Sequence, residues 1–381
     1  MAKLKLEGLP ACSCGGPFLY CVVGMLTSNE IFSDAVRRAM KLKGLAQEDI
    51  LARLGYSRRS LVDGFSFEKM CELEFLLDTP ADVLWRVDSA EDASALLQAR
   101  KVFEGRFCTA EAIDWAQRFP IRELQRLGYI CKTEGLTFNK RFKSGLLPRE
   151  IMKFMGVASL DGWKKTYSVA MGTINPHVYS AWIRLGEIQV ERPSSDFFIS
   201  RDIIANNLKF LRRNALPLKE NLRQIVIDTL RKCDIAVLEV PAFLMAPAPK
   251  VVCFWRGLQP VVQLPTITMS DGEFMESVYH AMGHILQSHS KRPCLLAPKT
   301  VAGMIAATKN GCFEANRVAE SLLMTEAEEC ELICCGRFAE KACVEFFSRK
   351  FQIRPGVIVS RLQRLKKIRR DSPLNSFKIA V

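Results

Sequence analysis

Residues 277–286 read SVYHAMGHIL, with His280 and His284 four positions apart. On a helix this spacing stacks two imidazoles one turn apart on one face, which suits two corners of a tetrahedral zinc site. Zinc hydrolases usually take three protein ligands and leave the fourth position to water. The residue after the first histidine is commonly a glutamate that accepts the proton of that water. Here it is Ala281. A methyl group neither accepts a proton nor passes one on, and such acid–base help is worth about 10²–10⁴-fold in rate. Glu276, a turn before His280, lies on the far side of the pair and is a poor substitute. Taken alone, HxxxH is met equally by two core or surface histidines. The chain has 4 histidines, however, and His280, His284 and His289 all fall in this helix and its exit. His289 reads as a surface residue beyond the helix end.

The elements around this stretch change period along the chain. SNEIFSDAVRRAMKLKG predicts a helix capped by Ser28 and stopped by Gly44, and AQEDILARLG predicts a second ended by Gly55. YSRRSLVDG reads as a third helix capped by Ser57, and FEKMCELEFLL as a fourth. Helical patterns continue to about residue 190 and again in NLRQIVIDTLRKCD. Then IAVLEVP, KVVCFWR and QPVVQLP, β-branched and bounded by Pro and Gly, predict three strands. Helices resume at Asp271 and run to about Leu365. The expected fold is mainly α, with a C-terminal α+β domain.

The helix–Gly55–helix stretch from Gln47 suits a helix-turn-helix, whose second helix enters the DNA major groove. GLAQEDILARLGYSRRSLVDG resembles the XRE-type helix-turn-helix of phage repressors and HigA-type antitoxins, and LDTPADVLW resembles the Pro-Ala-x-x-Trp ending of the HigA branch. The resemblance implies that Gln47 binds phosphate and that Ser57, Arg58, Arg59, Ser60 and Asp63 belong to the recognition helix and its start. Arginines there pair bidentately with guanine. Without that context, Arg58 and Arg59 read equally as solvated surface charge. The link from Leu61 to Phe67 is shorter than the family's, which puts the placing of the fourth helix in doubt.

Further on, DGEFMESVYHAMGHIL resembles the zinc helix of ImmA/IrrE-type metallopeptidases, and FEANRVAESLLM resembles that family's third-ligand helix. FQIRPGVIVSRLQRL resembles its closing element, and blocks such as FPIRELQRLGYI and SAWIRLGE resemble the linker joining such domains to XRE domains. The resemblance implies a zincin-like fold, Zn²⁺ as cofactor, and Glu314 as third ligand with His280 and His284. Read from the residues alone, Glu314 is also an ordinary first-turn carboxylate complementing a helix dipole. The implied organisation is an unassigned segment over 1–27, a helix-turn-helix domain over 28–86, a helical linker over 87–195, an ImmA/IrrE-like domain over 196–368 and a tail over 369–381. Met25 is a candidate natural start.

The formal charge of +13, from 54 Lys and Arg against 41 Asp and Glu, favours an anionic partner, most simply double-stranded DNA. RLQRLKKIRRD near the C-terminus is either a solvated helix end or a second phosphate-contacting patch. The 14 cysteines show no paired CxxC sets and read as mostly reduced, buried, cytosolic thiols. No apolar run approaches the ~20 residues of a membrane span, so the expected setting is cytoplasmic. Together these features predict a homodimeric DNA-binding regulator or HigA-like antitoxin, with a cognate toxin or repressor protein as partner and an inactive metallopeptidase-like sensor domain. The alternative is a working zinc endopeptidase that cleaves a repressor.

Overall fold

The computed structural model describes residues 34–56, 66–80, 84, 89–132, 136–190, 200–214, 221–287, 293–298 and 312–381. Helices α1 (Asp34–Lys43), α2 (Gln47–Leu54) and α3 (Phe67–Leu77) close a small core through Val36, Ile50, Leu54, Leu73 and Leu77. Gly44 and Gly55 turn the chain in left-handed conformations (φ +65° and +83°), where a side chain would be strained. The Ser28 cap and the helix expected at Ser57 lie outside the described residues, and with it Arg58, Arg59, Ser60 and Asp63. Arg53 ties this bundle to the helices of the linker. Buried, it donates to the Gly156 carbonyl (3.0 Å) and pairs with Glu187 (3.0 Å).

The expected linker is helical throughout its described part: α4 (Ala90–Gly105), α5 (Ala110–Gln117), α6 (Ile121–Arg126), α7 (Phe138–Lys143), α8 (Leu146–Met155), α9 (Leu160–Thr166), α10 (Ser168–Met171) and α11 (Pro176–Gln189). Edge-to-face contacts among Trp115, Phe119 and Trp163 fill its centre. The last of these helices ends at Gln189, but its packing crosses the boundary read from the sequence at residue 195. α11 lies against a sheet formed by later residues, where Trp182 donates to the Val240 carbonyl and Gln263 donates to that of Trp182 (2.8 Å). A Cβ on Gly186 would come within 1.9 Å of the Gln263 carboxamide oxygen, so only glycine admits the contact.

That sheet comprises β1 (Ala236–Val240), β2 (Val251–Arg256), β3 (Gln259–Pro265) and β4 (Cys294–Leu296), in the order β1-β3-β2-β4. β1 runs parallel to β3, and β2 antiparallel to both β3 and β4. Preceding it are α12 (Arg201–Asn214) and α13 (Leu222–Arg231). The three strands expected from the sequence are present. β4 falls within the stretch expected to be helical, because three residues are too few to show a period. Alternation divides β2 between two cores: Val252 and Phe254 face the linker helices, whereas Val251 and Cys253 face the C-terminal helices.

Those helices are α14 (Asp271–Gln287), α15 (Cys312–Leu323), α16 (Glu326–Cys334), α17 (Lys341–Phe351) and α18 (Pro355–Arg364). Asp271, fully buried at the start of α14, accepts from Arg354 Nε (2.9 Å), Gly272 N (2.9 Å) and Ile379 N (3.2 Å). Its side chain fills the space over Gly356, where a Cβ would lie 2.1 Å from Oδ1. Removing one partner of a buried ion pair leaves the other charge desolvated, at about 3–5 kcal/mol. Arg354→Met should therefore lower stability by about that amount in urea titrations monitored by circular dichroism. A variant with unchanged midpoint would show that the pair is not a structural anchor.

Candidate metal centre

α14 is apolar almost all round because it runs between the sheet and α15. Its Val278, Tyr279, Ala281 and Met282 are at 0 % exposure. His280 is buried and His284 half-buried on this helix, with ring centroids 4.9 Å apart. The crossing with α15 is unusually close, since a Cβ on Gly283 would meet the Ala315 carbonyl oxygen at 2.2 Å. This approach brings Asn316 to His280, with Oδ1 2.6 Å from Nδ1. An amide oxygen only accepts, so Nδ1 carries the proton and Nε2 keeps its lone pair. A hydrogen-bond partner of this kind fixes both the tautomer and the orientation of a metal-binding imidazole.

The third donor comes from the sheet. His280, His284 and Cys294 on β4 each offer a ligand atom within 4.8 Å of the others. Among the described residues, His284 Nε2 is buried without a hydrogen-bond partner, a costly state for a polar atom unless something binds there. Two imidazoles and a thiol are a soft N/S set that suits zinc, so the residues fit the ion. The Cys294 thiol is pushed up to about 12, first by its hydrogen bond with Cys253 and then by burial, while the two imidazoles pull it back.

Glu314, the third ligand implied by the family resemblance, is exposed in the first turn of α15 and is not a member of this group. The structure brings Cys294 to the histidines in its place. Ala281, on α14 itself, is at 0 % exposure within the C-terminal core, and His289 lies outside the described residues. Glu276 does share a cleft of about 380 Å³ with His280, Asn316, Lys250 and Arg364. Burial holds its carboxyl above the usual carboxylate range.

The chain matches no family model, no curated protein and no solved structure. Its chemistry therefore rests on its own geometry. Gln47 opens α2 half-buried, and it alone of the expected DNA-contacting residues lies within the described part. The basic stretch near the C-terminus divides in two. Arg361 pairs with Glu320 and Glu329, and Arg364 with Glu320, so both serve the packing of α18 on α15 and α16. Lys366, Lys367 and Arg370 remain exposed.

Sequence reasoning passed over Cys294, Cys253 and Asn316. Cys294 stands ten residues after His284, but among so many unpatterned cysteines its position carries no signal. Asn316 was in view in FEANRV only as a neighbour of Glu314.

Because Cys294 binds metal only as thiolate and its proton is held to high pH, zinc affinity should rise at least about tenfold per pH unit from pH 7 to 9. Competition with a chromophoric chelator measures this. In the same assay, Asn316→Ala should weaken zinc about 10–100-fold by freeing the His280 ring.

Proposed function

We propose that this chain is a DNA-binding regulator whose C-terminal half holds zinc as a sensor or scaffold and does not hydrolyse peptides. The observation that carries the reading is the His280–His284–Cys294 group, buried but for the half-buried His284, with Ala281 between the histidines. The donor set suits a metal, yet the residue that would take the proton from a bound water is a methyl group packed in the core. Neither histidine has a replacement carboxylate on its own helical turn, and Glu276 lies a full turn before His280, its carboxyl held above the usual range by burial. The His280 and His284 assignments thus persist from the family resemblance, with Cys294 as the third ligand.

DNA binding is supported by the charge of +13 and by the helix-turn-helix pattern that opens at Gln47. In this reading Gln47 contacts phosphate, Ser57 caps the recognition helix, and Arg58, Arg59, Ser60 and Asp63 face bases. The partner is double-stranded DNA bound by a homodimer, because operators for such modules are usually two-fold. The likeness to HigA-type modules adds antitoxin duty and a cognate toxin as a second proposed partner.

Gel shifts with the DNA upstream of its own coding sequence test the assignment. The purified chain should bind with steep salt dependence, and the Arg58→Ala/Arg59→Ala double variant should bind at least about tenfold more weakly, at about 1–3 kcal/mol per lost guanine pair. Equal binding by that variant would sink the DNA reading. Zinc-dependent cleavage of a protein substrate, abolished in His280→Ala, would favour a working endopeptidase instead.

A further inference from the structure

Beside the His280–His284–Cys294 group stands a second thiol, Cys253. It lies on β2 directly opposite Cys294 on β4, in the same antiparallel register. Cross-strand partners point to the same face of a sheet, and both thiols belong to the core that contains α14. They are buried, at 0 % and 4 % exposure, and their Sγ atoms are 3.5 Å apart. With Zn–S bonds of about 2.3 Å, two sulfurs on one tetrahedral zinc stand about 3.8 Å apart. The observed separation is close to that edge.

Access points the same way. The cleft beside α14 is lined by His280, but neither His284, Cys294 nor Cys253 lines it. A catalytic zinc needs an open coordination position facing its substrate. Of the four nearby donors, only His280 lines this cleft.

We infer that Cys253 is the fourth donor of this centre, closing a Cys₂His₂ shell in which zinc pins α14 to the β2–β4 edge of the sheet. The inference rests on the reading of His280, His284 and Cys294 as metal donors. Cys253 lies outside the group of donors within 4.8 Å of one another and meets the trio through Cys294 alone, so the closed shell requires its sulfur to move toward the imidazoles when the ion binds. Such a shell leaves no position for water, which gives a second reason, independent of Ala281, for the absence of hydrolysis. It also makes the ion a structural element whose loss would loosen α14, β2 and β4 together.

The test uses Co²⁺ as a spectroscopic substitute for zinc in the full chain, kept reduced. The thiolate-to-cobalt charge-transfer band grows with the number of sulfurs bound. Wild type should show the intensity of two thiolates per ion, with the strong visible bands of a four-coordinate site. Cys253→Ser and Cys294→Ser should each retain about half the charge-transfer intensity per bound cobalt. Each should also bind zinc at least about 100-fold more weakly, since losing even a residue that only orients a ligand costs about 10–100-fold. Circular dichroism of the metal-free forms controls for folding.

If wild type binds cobalt through one thiolate, or Cys253→Ser leaves the band unchanged, the closed shell is wrong while the metal centre stands. If wild type binds no cobalt or zinc, the metal reading itself fails. If the reduced chain loses both thiols together on mild oxidation in the presence of excess zinc, the two sulfurs form a disulfide instead of a ligand pair, and the inference is overturned.

Discussion

The position of α14 over the sheet is the constraint on which the rest of the C-terminal half depends, and the buried Asp271–Arg354 pair sets it. Asp271 is out of water and satisfied by a guanidinium and two backbone N–H groups. Shifting α14 along its axis would break the contacts with Arg354 and Ile379 and leave a buried carboxylate without its counter-charge, which opposes any such slide. From that anchor the remaining contacts build outward. Gly272 lets α18 approach, since a Cβ there would meet Ser360 Oγ at 2.1 Å. Gly283, three turns further on, lets α15 approach in the same way. Only with both helices in place do His280, His284 and Asn316 meet Cys294.

The C-terminal residues take part in the same anchoring. The Asp271 N–H donates to the Ile379 carbonyl (2.8 Å), and Met269 and Val381 exchange backbone hydrogen bonds. On the opposite face of the sheet, Trp182 and Gln263 tie α11 to β1 and β3. The sheet is thus held between helices from two regions that the sequence divides at residue 195. Arg53 then links the amino-terminal bundle to α8 and α11. A change at the metal centre that moves β2 would reach this junction through Arg256, whose guanidinium donates to the carbonyls of Glu187 (2.7 Å) and Lys43 (3.4 Å). These contacts are a physical connection between the two proposed activities.

Much of the architecture could be read from residue patterns. Three of the strands and most of the described helices stand where period and capping residues put them, because α2, α3 and the strands carry strong local signals. Long-range proximity could not be read. β4 is too short to have a period, and Cys294 reaches α14 only because β4 adds to the β2 edge. Family likeness directed attention to Glu314, whereas the approach of α15 at Gly283 presents Asn316 to His280 and leaves Glu314 exposed. The two histidines were legible because helical spacing alone places them together. Their partners come from other elements, and no spacing rule reaches across a fold.

The central claim is that sulfur belongs to the metal shell. X-ray absorption at the zinc edge of the full-length protein, purified reduced and loaded with one equivalent of zinc, tests it most directly. A mixed shell is expected, with sulfur at about 2.3 Å and imidazole nitrogen at about 2.0 Å. A shell of nitrogen and oxygen alone, as histidines with Glu314 and water would give, would contradict it.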